Sequence, residues 1–233
     1  MTTWADRILK ANEGFDPQSW ELPAGIRVLN PFEGPESDRI QNINEAFYRK
    51  FYNDNAPRKL ILGINPGRLG AGATGVPFTD TKRMEGVCGI STGEMNTHEP
   101  SSVFVYEVIE AFGGPKAFYK EVFIHSVCPL GFVKVKADGE EVNYNYYDDK
   151  SLEMAVTPYI TEWLKELAKW PVDLERVFCL GSGKNFKYLK KWNEEHRQFG
   201  EIVPLDHPRY VMQYRAKRKP EFIDKYLSRL KDL

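Results

Sequence analysis

Four short apolar runs, at residues 60–64, 122–124, 177–180 and 202–205, each break off into a polar or glycine-bearing loop, and stretches with helical spacing separate them. Runs this short, without polar alternation, bury both faces, as strands do in a parallel sheet covered by helices on each side. The pattern predicts an α/β chain: a three-layer αβα sandwich around a central four-stranded, mainly parallel sheet. Sheets of this kind take ligands beyond the carboxyl ends of their strands. The loops that open at Asn65, Ser126, Gly181 and Asp206 are therefore expected to gather at one edge.

The helices fill in around these strands. Trp4, Ile8 and Leu9 share a helical face that ends near Gly14, and Ile40, Ile43, Phe47 and Phe51 follow the same spacing. Residues 14–36, with Pro17, Pro23, Pro31 and Pro35, read as an ordered loop between them. We take residues 1–55 as a helical segment packed on a single domain that spans 1–233. Residues 65–100 are glycine-rich with little periodicity, the mark of a functional or a disordered stretch. A helix over 101–112 stops at Gly113-Gly114. Another carries Val156, Ile160, Trp163, Leu164 and Leu167, with Pro158 in its first turn or at a kink. A lysine-rich helix follows Gly183, and a last one starts at Pro220.

Composition narrows the function classes. A net charge of −1 is far from that of a non-specific nucleic-acid coat, so any contact with DNA must use a local basic patch. No window approaches the ~20 apolar residues that span a bilayer, and the first residues lack the apolar core of a secretory signal. Cys88, Cys128 and Cys179 are isolated and form no CxxC, which suits free thiols in an intracellular protein without a structural metal or iron–sulfur cluster.

The residues that promise chemistry sit at the strand ends. Asn65 follows a buried strand directly and presents a carboxamide at the sheet edge; Gly67 lets the backbone approach a ligand, and Phe78 offers a face for stacking. Asn-Pro-Gly alone is also simply a good turn. Gly70 to Gly75 match a G-x-G-x-x-G string, but it does not join a strand directly to a helix and Pro77 follows at once. Gly181-Ser182-Gly183-Lys184 lacks the first glycine of a phosphate loop, and Asn185 stands where Ser or Thr is needed. Two basic clusters, Lys184 with Lys187, Lys190 and Lys191, and Arg215 with Lys217, Arg218 and Lys219, read either as solvated faces or, since both flank loops of the expected edge, as phosphate contacts.

Taken together, three strings resemble the uracil-DNA glycosylase superfamily, most closely its single-strand-selective monofunctional (SMUG-type) branch. Gly63-Ile64-Asn65-Pro66-Gly67 continuing to Thr74-Gly75-Val76-Pro77-Phe78 is similar to the first motif, with Ile64 in place of methionine. Phe123 to Leu130 is similar to the strand end that reads His-Asn-x-Cys-Pro-Leu, and His207-Pro208-Arg209 is similar to the second motif. The resemblance spans roughly residues 58–215. It implies a monofunctional glycosylase that flips uracil from DNA and hydrolyses its N-glycosidic bond without metal or cofactor. Asn65 would position the water, and His207 would donate to the base oxygen. Ile64, Gly67, Phe78 and Ser126 would surround the base. Arg209 and Tyr210 are the candidates to fill the gap left by the flipped base, with Lys184 and Arg215 on phosphates. The resemblance carries no Schiff-base lysine, and a monomer is expected. One departure stands out: Ser126 replaces the asparagine that reads the base edge, which implies weaker discrimination and room for xanthine. The alternative is a non-catalytic module that binds damaged DNA or flipped bases.

Overall fold

In the computed structural model, which describes residues 2–15, 17 and 20–231, the chain opens with helix α1 (Trp4–Glu13), started by a capping box between Thr3 and Asp6. Trp4 is fully buried, its ring 4.9 Å from that of Phe123, and its Nε1 donates to the Ala56 carbonyl (2.8 Å). The N-terminal segment thus enters the core.

Strand β1 (Ile26–Leu29) lies inside the stretch expected to be a loop. Helix α2 (Ser37–Phe51) and strand β2 (Arg58–Gly63) follow. Residues 65–100 hold two short helices, α3 (Ala71–Thr74) and α4 (Thr81–Gly86). Helices α5 (Pro100–Phe112) and α6 (Pro115–Glu121) then lead into β3 (Val122–Ser126). Two unexpected strands come next, β4 (Gly131–Val135) and β5 (Glu141–Tyr144), which pair with β1 as an antiparallel sheet in the order β1-β4-β5. Their sequences lack a sustained apolar run. A small sheet wetted on one side needs none, and pairing decides it instead.

Helix α7 (Lys150–Leu167) begins before its apolar stripe, so Pro158 lies in its interior and not in its first turn. Strand β6 (Val172–Leu180) is longer than its apolar part. Its pairing with β2 jumps from Lys59↔Asp173 to Leu60↔Val177, an irregularity placed at Leu174-Glu175-Arg176. Helix α8 (Lys184–His196), β7 (Glu201–Leu205), α9 (Pro208–Tyr214) and α10 (Lys219–Leu230) complete the chain. The main sheet has the order β3-β2-β6-β7 with every neighbouring pair parallel, the four-stranded sheet that the apolar runs predict.

Two polar anchors fix this frame. Arg58 is buried at the start of β2, where it pairs with Asp54, donates to the Tyr119 carbonyl (2.7 Å) and lies over the rings of Trp4 and Tyr52. A buried guanidinium persists only when paired and hydrogen-bonded in this way. Asn44 of α2 accepts from Asn12 and donates to the Ile40 and Thr74 carbonyls, the last at 2.6 Å. The two N-terminal helices thereby hold the glycine-rich loop. Where the loop turns, Gly75 has φ +70°, and a Cβ there would stand 2.3 Å from the Asn44 amide.

Candidate active site

Beyond the carboxyl ends of the parallel strands lies a cleft of about 330 Å³, walled by the loop after β2 on one side and α9 on the other. The strand ends are locked together under it. In register, Gly63 faces Ser126, Leu62 faces Cys179 and Leu180 faces Leu205. Asn185, the second residue of α8, donates to the carbonyls of Gly63 and Leu180 (3.2 Å each) and accepts from the Tyr146 hydroxyl (2.8 Å). The residue that breaks a phosphate-loop pattern is thus the tie between two strands and the β5 connection.

Asn65 stands where β2 releases the chain. Its Nδ2 donates to the Tyr144 carbonyl (3.2 Å) and the Pro66 carbonyl (3.3 Å), and its Oδ1 accepts the Tyr146 N–H (3.1 Å). One lone pair of Oδ1 is left for a further donor. The turn is pressed from below by β4: a Cβ on Gly131 would lie 2.2 Å from the Pro66 carbonyl oxygen, so only glycine fits. Asn143 of β5 accepts the Arg68 N–H (3.0 Å) and secures the other end of the turn.

Across the cleft His207 caps α9. Its Nδ1 accepts the Arg209 N–H (3.1 Å), which leaves the proton of the neutral ring on Nε2. Burial, and then the Arg209 charge, bring its pKa down to about 4, so the ring is a neutral donor at physiological pH. Behind it, Asp206 is held by Lys225 (2.7 Å) and by the Tyr226 hydroxyl, which donates to its carbonyl. Phe78 has φ +52°, a left-handed backbone that costs a non-glycine residue about 1 kcal/mol. Its ring covers Gly63, where a Cβ would approach it to 3.3 Å, and its centroid is 6.2 Å from that of His207.

Two carboxyl groups stand behind the loop. Asp80 is buried; it accepts from the N–H groups of Arg83 (3.1 Å) and Glu99 (2.8 Å) and from the Ser102 hydroxyl (2.9 Å). Burial opposes its ionisation, yet these bonds and the Arg83 charge hold its pKa below the usual carboxylate value. Glu99 lines the cleft itself. Burial, then the Asp80 charge, push its pKa up to about 7 against a pull from Arg209.

Of the residues singled out in the sequence, Ile64, Asn65, Gly67, Phe78, Lys184, His207, Arg209 and Tyr210 all line this cleft. Ser126 does not. It is buried at the end of β3 and lines a separate cavity of about 20 Å³ behind the loop, with Pro66 and Pro77 among its walls; the Trp163 indole donates to its carbonyl (3.0 Å). Arg215 also lies outside the lining and stacks over the Tyr210 ring at 5.3 Å. In its basic cluster, Arg218 pairs with Glu221 and Lys219 with Glu107. Glu99, Asn143 and Tyr214 are cleft residues that sequence reasoning missed. Glu99 was marked only by preceding Pro100 at the start of an apolar helix, and Asn143 by nothing local. The three cysteines are free and buried, and among the described residues no helix is long and apolar enough to cross a membrane.

The family model of the uracil DNA glycosylase superfamily matches residues 49–231. The single-strand selective monofunctional uracil-DNA glycosylases of Rattus norvegicus and Mus musculus are 26% and 27% identical to the chain. Each match covers 52% of this chain and 51% of the relative, so the chain spans about half the length of these curated relatives. The crystal structure of wild-type Pedobacter heparinus SMUG2 is 49% identical and superposes with a TM-score of 0.95, over 100% of this chain and 98% of that one.

Proposed function

From the premise that the chain belongs to the uracil DNA glycosylase superfamily, we propose that it is a monofunctional DNA glycosylase that hydrolyses the N-glycosidic bond of uracil in DNA and leaves an abasic site. One observation carries this reading: a neutral histidine with its proton on Nε2 shares a cleft with an immobilised carboxamide and an aromatic face. A base must leave the stack to reach such a cleft. Phe78 would stack on it. As the bond to C1′ breaks, negative charge grows on the base and positive charge on the sugar. The His207 Nε2–H would meet the base oxygen where that charge develops, and being neutral beforehand it would strengthen its bond only as the charge appears. The free lone pair of Asn65 Oδ1 would orient the water. Arg209, Tyr210 and Tyr214 at the mouth would contact the strand. The names of the mammalian relatives support uracil as the base and single strands as a substrate.

We extend the base range to xanthine, because position 126 lacks the carboxamide that would select the uracil edge. Ser126 lies outside the cleft lining, so this extension rests on the missing amide alone. Single- and double-stranded oligonucleotides with one uracil, treated with alkali after incubation, test the main reading. Cleavage only after alkali, strongly reduced in Asn65→Ala and His207→Ala, is expected. Tight binding of damaged DNA without product would instead indicate a non-catalytic module. Parallel assays of uracil and xanthine with Ser126→Asn test the base range, and an unchanged preference would overturn it.

A further inference from the structure

Water adding to the sugar must lose a proton, and the two residues assigned above are poor acceptors for it. The His207 Nδ1 lone pair is already taken by the Arg209 N–H, and its Nε2 carries the ring proton. The Asn65 carboxamide is not a base, and the protein ties both its ends. Lys184 and Arg209 bring donors. Among the described residues, Glu99 is the only carboxyl group that lines the cleft.

Its setting differs from that of a structural acid. Asp80 nearby accepts several protein hydrogen bonds, including one from the Glu99 N–H. The Glu99 Oε2 is buried and has no partner within the chain. The carboxyl lies against the same turn that carries Asn65. Its Oε1 is 3.7 Å from where a Gly67 Cβ would stand, and its Oε2 is 2.1 Å from where a Gly70 Cβ would stand. Glycine at position 70 is therefore what makes room for the acid beside the turn.

We propose that Glu99 is a further catalytic residue, the general base that takes the proton of the attacking water. The inference rests on the glycosylase reading. In the step, the water oxygen bonds to C1′ and the C1′–N bond breaks, with its electron pair leaving on the base toward the His207 donor. One water proton passes to the Glu99 carboxylate, and the sugar retains the hydroxyl. The protonated Glu99 then returns its proton to the departing base anion or to solvent, so the sum is water plus nucleoside giving free base plus abasic sugar.

The groups that face Glu99 bear on its titration. Asp80 lies behind it, itself paired with Arg83 of α4 and with His98 (3.3 Å), and Arg209 faces it from α9. The Asp80 charge keeps Glu99 a stronger base, and Arg209 works against this. With a free-enzyme pKa of about 7, the active carboxylate accumulates as pH rises, and the rate should rise with it to a plateau.

The decisive experiment measures kcat/KM from pH 5 to 9 on a uracil oligonucleotide for wild type, Glu99→Gln, Glu99→Asp and Gly70→Ala, with affinity for an uncleavable 2′-fluoro analogue and thermal melts alongside. The expected result is a wild-type limb that rises to about pH 7, retained at lower rate in Glu99→Asp. Glu99→Gln should lose the limb and at least about 100-fold in kcat at pH 8, with analogue binding preserved. Gly70→Ala, which pushes the acid off the turn, should fall in the same direction while melting as a folded protein. A wild-type rate and limb in Glu99→Gln would overturn the assignment, as would loss of analogue binding in step with rate. If the wild-type protein itself releases no base, the glycosylase reading falls, and the role of Glu99 with it.

Discussion

At position 207 one ring caps a helix and, in the proposed reading, also serves the cleft: Nδ1 accepts the N–H that opens α9, and the proton stays on Nε2. The two duties separate by substitution. His207→Ala removes both, so it should lose about 1 kcal/mol of stability as a missing helix cap and about 10²–10³-fold in rate as a missing donor. His207→Ser restores the cap without reaching the base. Its urea midpoint should return to the wild-type value while the rate stays low, and a recovered rate would show that the ring acts only as a cap. Asn65 shows the same economy, since its carboxamide secures the β5 connection and keeps one lone pair for the cleft.

Between elements, buried amides add specific ties to the apolar packing. Asn44 links α1, α2 and the loop at Thr74, so the N-terminal helices hold the loop that presents Phe78. Asn44→Ala leaves the Thr74 carbonyl and the Asn12 amide short of a partner, a loss of about 1–3 kcal/mol. It should also speed proteolytic cleavage within residues 65–80 relative to the rest of the chain; uniform sensitivity would mean that the loop holds itself. Asn185 plays the corresponding part under the strand ends. Asn185→Ala should cost about 1–3 kcal/mol in urea unfolding by leaving the buried Tyr146 hydroxyl unpaired.

Over the whole molecule, a net charge of −1 conceals an uneven surface. Lys184, Arg209 and the Arg215–Tyr210 stack lie in or beside the cleft. If these cations meet phosphates, affinity for a single strand should fall linearly on a log scale with salt, and each removed contact should flatten the slope by roughly 0.7. An unchanged slope in Arg209→Ala and Arg215→Ala would place the phosphates elsewhere. Stability against acid is also a property of the whole fold. His125 is buried against Trp163, and burial brings its pKa down to about 4. The unfolded chain therefore binds a proton between pH 6.5 and 4 that the folded chain refuses, and stability is lost as pH falls through that window. Glu99, raised to about 7, acts oppositely: it favours the folded state as pH falls from 7 toward the usual carboxylate range. The clean measure is the difference between wild type and His125→Phe. From pH 7 to pH 4.5 the wild type should lose on the order of 2–3 kcal/mol relative to the variant, read from paired urea titrations.

The parts of this protein that were legible in its sequence are those whose physics is local. A strand buried on both faces must be apolar throughout, so all four strands of the main sheet stood out, and the loops after them marked the cleft edge with Asn65 and His207. What tertiary structure decided are features that need a distant partner. Strands β1, β4 and β5 are short, half-wet and polar in places, and exist because they pair with one another. The jump in β6 falls in a Leu-Glu-Arg stretch, and Ser126, part of a motif string in sequence, lines a separate cavity behind the loop. Glu99 reads as an ordinary acid before a helix. Its buried, unpartnered oxygen arises only because the glycine turn after β2 folds against it, bringing residues 67 and 70 to residue 99. Burial without a partner is a relation between segments, and no local pattern of residue types encodes it.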